Sequence, residues 1–186
     1  AFAQNMVQLV QSVNAMFPGS STRYDTLTVK TAIRLGVFTD EQVNAAAASV
    51  NHLYGQPISM GGLAGAGLNN QAWGLHYARL PPDACLGVLQ YALKVADAVA
   101  LVSDPSANPD PSDFKDWGAA ISWVSGAVDG FPAQYMYTPP GGLSSRVLKR
   151  NHMDVPTAVD RIDACNAVTG NGVGSAFGLA LVLRRV

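Results

Sequence analysis

Phe2, Met6, Leu9, Val13, Met16 and Phe17 recur at intervals that place them on one side of an α-helix, and Gln4, Asn5, Gln8, Gln11 and Asn14 fill the other side. Val7 and Val10 widen the apolar stripe, and Pro18-Gly19 stops it. The first element is therefore an amphipathic helix that needs a partner surface. After a polar turn over residues 20–23, Asp25 is placed to cap a short helix reaching about Leu35. Val29 and Ile33 share one of its faces, and Gly36 closes it. Thr39-Asp40-Glu41-Gln42 has the form of a capping box, so an alanine-rich helix is expected from Asp40 to about Ser49.

The period then changes. Pro57-Ile58-Ser59-Met60 reads as a short strand before the Gly61-Gly62 turn. Trp73, Leu75 and Tyr77 alternate with Ala72, Gly74, His76 and Ala78, which predicts a strand over about 71–80. Pro81-Pro82-Asp83 opens a helix on which Cys85, Val88, Leu89, Ala92, Leu93 and Ala96 keep helical spacing. Residues 103–116, rich in Pro, Asp and Ser, read as an exposed loop. Residues 117–128 fit either helix or strand, with helix favoured in the first half; 134–138 reads as a strand and 139–142 as a turn. Asp154 is expected to cap a helix from Val155 to about Val168, and Phe177, Leu179, Leu181 and Leu183 mark the clearest strand of all. Helices interleaved with strands after a helical start predict one α+β domain, an antiparallel sheet packed on a helical spine.

Composition narrows the function. Hydrophobic content of 48% with 13% charged residues and net charge −1 fits a globular chain and argues against nucleic acid, whose partners carry a basic face. No run of 18 apolar residues is present, so nothing in the sequence reads as a membrane-spanning helix, and no signal peptide is recognisable. The chain opens inside a helix, as expected of a processed or trimmed form. Cys85 and Cys165 are too few for a structural zinc site and fit either two buried thiols or one disulfide. A bond between them would be worth about 4 kcal/mol or more in the chain-entropy picture.

Catalytic constellations are not apparent. His52, His76 and His152 have no metal-ligand spacing and read as solvated or hydrogen-bonded residues. Cys85 stands near a helix start, where a nucleophile is favoured, but no protease-like signature surrounds it. Gly65-Ala66-Gly67 and Gly170-Asn171-Gly172 precede strands, the wrong context for a nucleotide fingerprint, and read as turns. Asp104, Asp110, Asp113 and Asp116 do not have the spacing of a calcium loop. No catalytic residue, cofactor or metal is expected.

A resemblance emerges from the order of short segments: Ser12-Val13-Asn14-Ala15-Met16-Phe17, Tyr24-Asp25-Thr26-Leu27 and Ala32-Ile33-Arg34-Leu35-Gly36-Val37-Phe38, then Asn51-His52-Leu53-Tyr54-Gly55-Gln56-Pro57-Ile58, Tyr77-Ala78-Arg79-Leu80-Pro81-Pro82-Asp83-Ala84-Cys85, and Asp163-Ala164-Cys165-Asn166. In this order they resemble the PilS-type branch of the type IVb pilins. The set spans most of the chain, and the strand–Pro–helix–Cys segment is the most specific. The resemblance implies the type IV pilin fold, a long N-terminal helix packed on an antiparallel sheet. It implies a single domain: the C-terminal half of the spine helix at 1–17, an αβ-loop region at 18–70, and sheet and D-region at 71–186. It also implies that Cys85 and Cys165 form the disulfide bounding the D-region, and that Phe2, Met6, Leu9, Val13 and Met16 pack the spine.

The family's apolar half-helix and early glutamate are missing, and Tyr54-Gly55-Gln56 matches the family's aromatic-Gly-Gly only in part. An upstream stretch of about 25 apolar residues would hold the subunit in the inner membrane and then in the filament core. The implied function is a structural subunit of an extracellular pilus of a Gram-negative bacterium, serving adhesion, aggregation or conjugative DNA transfer. Its partners would be identical subunits in a helical filament, the pilus assembly machinery, and a host or recipient cell surface. Direct nucleic-acid binding is not expected. A minor pilin or pseudopilin of a secretion or conjugation system, and a secreted adhesin, are the alternatives.

Overall fold

The fold was obtained as a computed structural model. It describes residues 2–16, 24–44, 49–65, 67–103, 114–127, 130–140, 143–170 and 176–184, with 115 and 116 by backbone alone.

Helix α1 (Phe2–Met16) buries Phe2, Met6, Leu9, Val10 and Val13. Met16 departs from the expected stripe. It is 40% exposed, because it sits in the last turn at the margin of the apolar face, and Val10 joins the packed side instead. Tyr24–Thr26 forms a single 3-10 turn and α2 covers Val29–Arg34. Asp25 does not cap α2. Thr28 does, its hydroxyl oxygen accepting from the Thr31 N–H at 3.1 Å, because the intervening 3-10 turn moves the helix start downstream.

The expected helix from Asp40 is replaced by a turn and two short strands, β1 (Val43–Asn44) and β2 (Ser49–Asn51); residues 45–48 lie outside the described residues. The box residues still meet, with Gln42 Oε1 accepting from the Thr39 N–H, but they close an isolated turn. Val43 and Asn44 then pair with Val50 and Ser49, so sheet pairing overrides helix propensity here.

The remaining strands are β3 (Pro57–Gly62), β4 (Ala72–Leu80), β5 (Ala98–Ser103), β6 (Ile121–Val124), β7 (Gln134–Tyr137), β8 (Ser145–Lys149) and β9 (Phe177–Arg184). Seven form one antiparallel sheet in the order β1-β2-β3-β4-β9-β5-β8, and β6 and β7 form a separate hairpin. Strand alternation sorts the sheet into two faces. On one, registered rows such as Ile58–Tyr77–Leu179–Leu101 and Met60–Leu75–Leu181–Val99 build the main core. Helix α1 lies on this face. The Phe2 and Tyr77 rings meet at a tilt with centroids 5.1 Å apart, and Asn14 Oδ1 accepts from the Trp73 indole N–H at 3.3 Å, so the helix runs opposite in sense to β4.

The opposite face is made of small residues. Its rows are Ser59–His76–Ala180–Ala100 and Gly61–Gly74–Val182–Ala98. Short α4 (Lys115–Ala119), β6 and β7 cover it and form a second core with Phe114, Trp117, Ile121 and Tyr135. The glycines are a requirement of this layer: a Cβ on Gly74 would stand 2.4 Å from Phe114 Cζ. The helix expected in the first half of 117–128 is thus only the end of α4, followed by a strand. Of the expected loop over 103–116, residues 104–113 lie outside the described residues.

Two further helices complete the main core. Helix α3 covers Cys85–Val95 and α5 covers Ala158–Thr169. The Cys85–Cys165 disulfide joins them, with Cα atoms 5.9 Å apart, and brackets a separation of 80 residues. Lys149 on β8 is buried because its ammonium donates to the Leu93 and Ala96 carbonyls at 2.9 and 3.0 Å, the negative end of α3. Asp154 does not cap α5. It is bonded to the Arg150 side chain and backbone N–H, which leaves capping to Thr157, whose reciprocal bonds with Asp160 complete a capping box.

Candidate assembly surfaces

Both cysteines and His52 are held in structural roles. Cys85 and Cys165 are both oxidised, so the nucleophilic reading of Cys85 lapses. His52 accepts the Tyr54 N–H at Nδ1 and donates from Nε2 to the Ala78 carbonyl; burial lowers its pKa, in keeping with a neutral ring. His76 is enclosed beneath Trp117, and His152 sits in the turn after β8. No group of three metal-ligating side chains occurs among the described residues. Asp104, Asp110 and Asp113 lie outside them, as does the side chain of Asp116. Gly65 serves close packing, since a Cβ there would meet the Ile121 carbonyl oxygen at 2.3 Å.

Among the described residues, large exposed apolar side chains gather chiefly in two places. The first rides on α5. Asn151 shapes the turn before it, donating to the Ala133 carbonyl and accepting from the Met153 N–H, and Arg150 stacks on the Phe131 ring at 3.7 Å. That firm turn and the Thr157 cap present Met153, Val155 (83% exposed), Val159 (65%) and Ile162 to solvent. Leu86, beside the disulfide on α3, is exposed as well. Helix α5 packs its other side, Ala164, Cys165 and Val168, on the main core.

The second patch lies toward the opposite edge of the sheet. Leu35 ends α2, and Leu53 (59% exposed) and Tyr54 form the turn after β2. A small cavity of about 40 Å³ opens beside them, lined by Phe2, Leu9, Val37, Phe38, Leu53 and Tyr77. Gly55, at φ 79°, gives the turn its left-handed residue. Helix α5 packs over β5 and β8, so the patches are separated by four to five strand spacings, roughly 20–25 Å.

No family model matches this chain, and no curated protein matches its sequence. Among solved structures it is similar over 99% of its length, and 98% of the other chain, to a type IV b pilin from Salmonella typhi, with a TM-score of 0.55 and 12% identity. The chain has the type IV pilin fold. A second match is TcpA, a type IV pilin from Vibrio cholerae El Tor biotype, at 14% identity and a TM-score of 0.46, covering 97% of this chain and 95% of that one.

Within this pilin fold, α1 is the spine against the sheet, and the disulfide encloses α3, the covering layer and most of α5. The residues set out from the sequence as spine-packing lie together on one core, except Met16. Sequence reasoning missed the α5 patch. The signal was present: Val155, Val159 and Ile162 follow helical spacing on a side different from Ala164, Cys165 and Val168. A helix apolar on two sides has one side left over for a partner.

Proposed function

We propose that this chain is the head of a structural subunit of a bacterial type IVb pilus, polymerising into an extracellular filament and carrying no catalytic activity. The observation that carries this reading is the pair of unlike apolar patches set toward opposite edges of one sheet. A patch that meets a different patch on its neighbour makes a heterologous contact, and such contacts propagate into open helical polymers unless they close into a ring. In the filament, the Val159–Ile162 side of one subunit seats against the Leu35, Leu53 and Tyr54 surface of the next.

The test is Val159→Asp and Leu53→Asp, singly and together, in the full-length subunit expressed with its assembly machinery. Both residues are exposed, so the melting temperature of the isolated head should hold within the equivalent of about 0.5 kcal/mol. Filaments counted by electron microscopy should be lost. Normal filament number with both substitutions present would refute the contact. Antibody labelling along the whole shaft is expected; labelling confined to the tips would make this a minor subunit.

A further inference from the structure

His76 lies at the centre of the small-residue face of the sheet and is 1% exposed. Its ring is nearly parallel to the Trp117 indole, with centroids 3.9 Å apart and planes at 15°. Neither ring nitrogen has a hydrogen-bond partner among the described residues. A phenyl ring would stack as well in this place, so the two nitrogens add nothing to the closed packing and cost desolvation. The layer above them is distinct from the sheet: β6 and β7 pair only with each other, α4 and the hairpin pack on Ala72, Ala98, Val102 and Val182 in a second core, and β7 is tied on by the Tyr135 N–H donating to the Arg150 carbonyl.

We propose that this layer, residues 114–124 and 134–137, is an acid-released cover whose trigger is protonation of His76. Among the described side chains, no carboxylate is set against the ring to balance a positive charge. Strand β3 presents Ser59 and β9 presents Ala180; α4 presents Trp117 and carries Lys115 and Asp116 in its sequence, and the cover strands present Ile121, Tyr135 and Tyr137. The titratable side chain that acts on His76 is His52, a further basic group that works against protonation. Burial first, and His52 second, hold the closed-state pKa at about 3, whereas an opened cover returns the ring to its ordinary value near 6.5. The closed form is therefore favoured above pH 6.5, and each unit below it multiplies the open-to-closed ratio by about ten until about pH 3. Release would bare the Gly and Ala rows of the sheet together with the apolar undersides of Phe114, Trp117 and Tyr135.

Amide hydrogen exchange on this chain, corrected for the intrinsic effect of pH, reads the opening directly. Between pH 7 and 4.5 the opening constants at 121–124 and 134–137 should rise close to a hundredfold, while amides in β4 and β9 stay protected. The wild type should show a slope of about one proton per opening between pH 6 and 4. His76→Phe, which keeps the stack, should flatten that dependence; His76→Gln serves if the first variant does not fold. A zero slope in the wild type, an equal rise in either variant, or β4 and β9 opening in step with the cover would overturn the proposal.

Discussion

The sharpest quantitative expectation concerns the bond between α3 and α5. Replacing both cysteines by alanine (C85A/C165A) removes the cross-link and leaves small apolar side chains at two buried positions, where serine would strand a hydroxyl. The native contacts between the two helices remain, so the principal effect falls on the unfolded chain, which is freed from a closed loop. For the 80-residue separation, 2.1 + 1.5R ln 80 gives ~15 cal/mol/K, or ~4.5 kcal/mol at 25 °C. In a domain of this size 1 kcal/mol moves the melting temperature by about 2–4 °C, so a fall of roughly 9–18 °C is expected. Urea denaturation at pH 7 followed by far-UV circular dichroism should show the loss in midpoint. It should also show a steeper transition, because the unlinked denatured chain exposes more surface. A loss below about 1 kcal/mol would refute the view that the bond acts by restraining the unfolded chain.

Leu9→Asp places an unpaired charge under α1 and should lower stability by at least ~3 kcal/mol in urea denaturation; an unchanged midpoint would contradict the packing of the spine. Gly74→Ala should cost about 1–3 kcal/mol, because the new methyl meets the Phe114 ring, whereas Gly87→Ala, exposed on α3 with open space around it, should gain up to ~1 kcal/mol; a calorimetric scan of both separates contact from chain entropy. Thr157→Ala removes the hydroxyl that accepts the Asp160 N–H at the start of α5, while the Thr157 backbone N–H still donates to Asp160, and should cost about 1 kcal/mol. The Thr157 backbone N–H holds the Asp160 carboxyl below its ordinary pKa, so that contribution is present at neutral pH and fades as pH falls through and below the carboxylate range; a thermal scan between pH 6 and 2 of wild type and Asp160→Asn, which removes the titrating carboxyl, checks it.

Four elements were legible in the sequence and stand close to their expected ranges: α1 and α3 by apolar residues at helical spacing, and β4 and β9 by large residues alternating with smaller ones, although both strands are buried on both faces. Strand β5 was not, because Ala98–Ser103 is only six residues long and its apolar run continues almost directly from that of α3, so no change of period marks its start. Strand β8 was missed for the opposite reason: it is a five-residue edge, mixed in polarity, whose lysine is buried only because a helix end lies beside it. The segment from Asp40 shows the limit of local rules, since a well-formed box motif yielded to pairing with residues several positions onward. The disulfide could be read only through family resemblance; two distant cysteines do not announce a partner. The assembly patches were hidden because exposure, not residue type, distinguishes Val159 from Val168, and exposure follows from how α5 settles on the sheet.

Strand β9 lies between β4 and β5, yet it follows both in the chain. Until it arrives, the strands made before and after Cys85 have no common edge, and the molecule is two incomplete half-sheets joined through residues 81–97. The last strand is thus a keystone: synthesis from the N-terminus cannot close the arch early, and cooperativity between the halves appears only when these eight residues slot in. A chain halted before Phe177 should therefore lose the sheet as a unit.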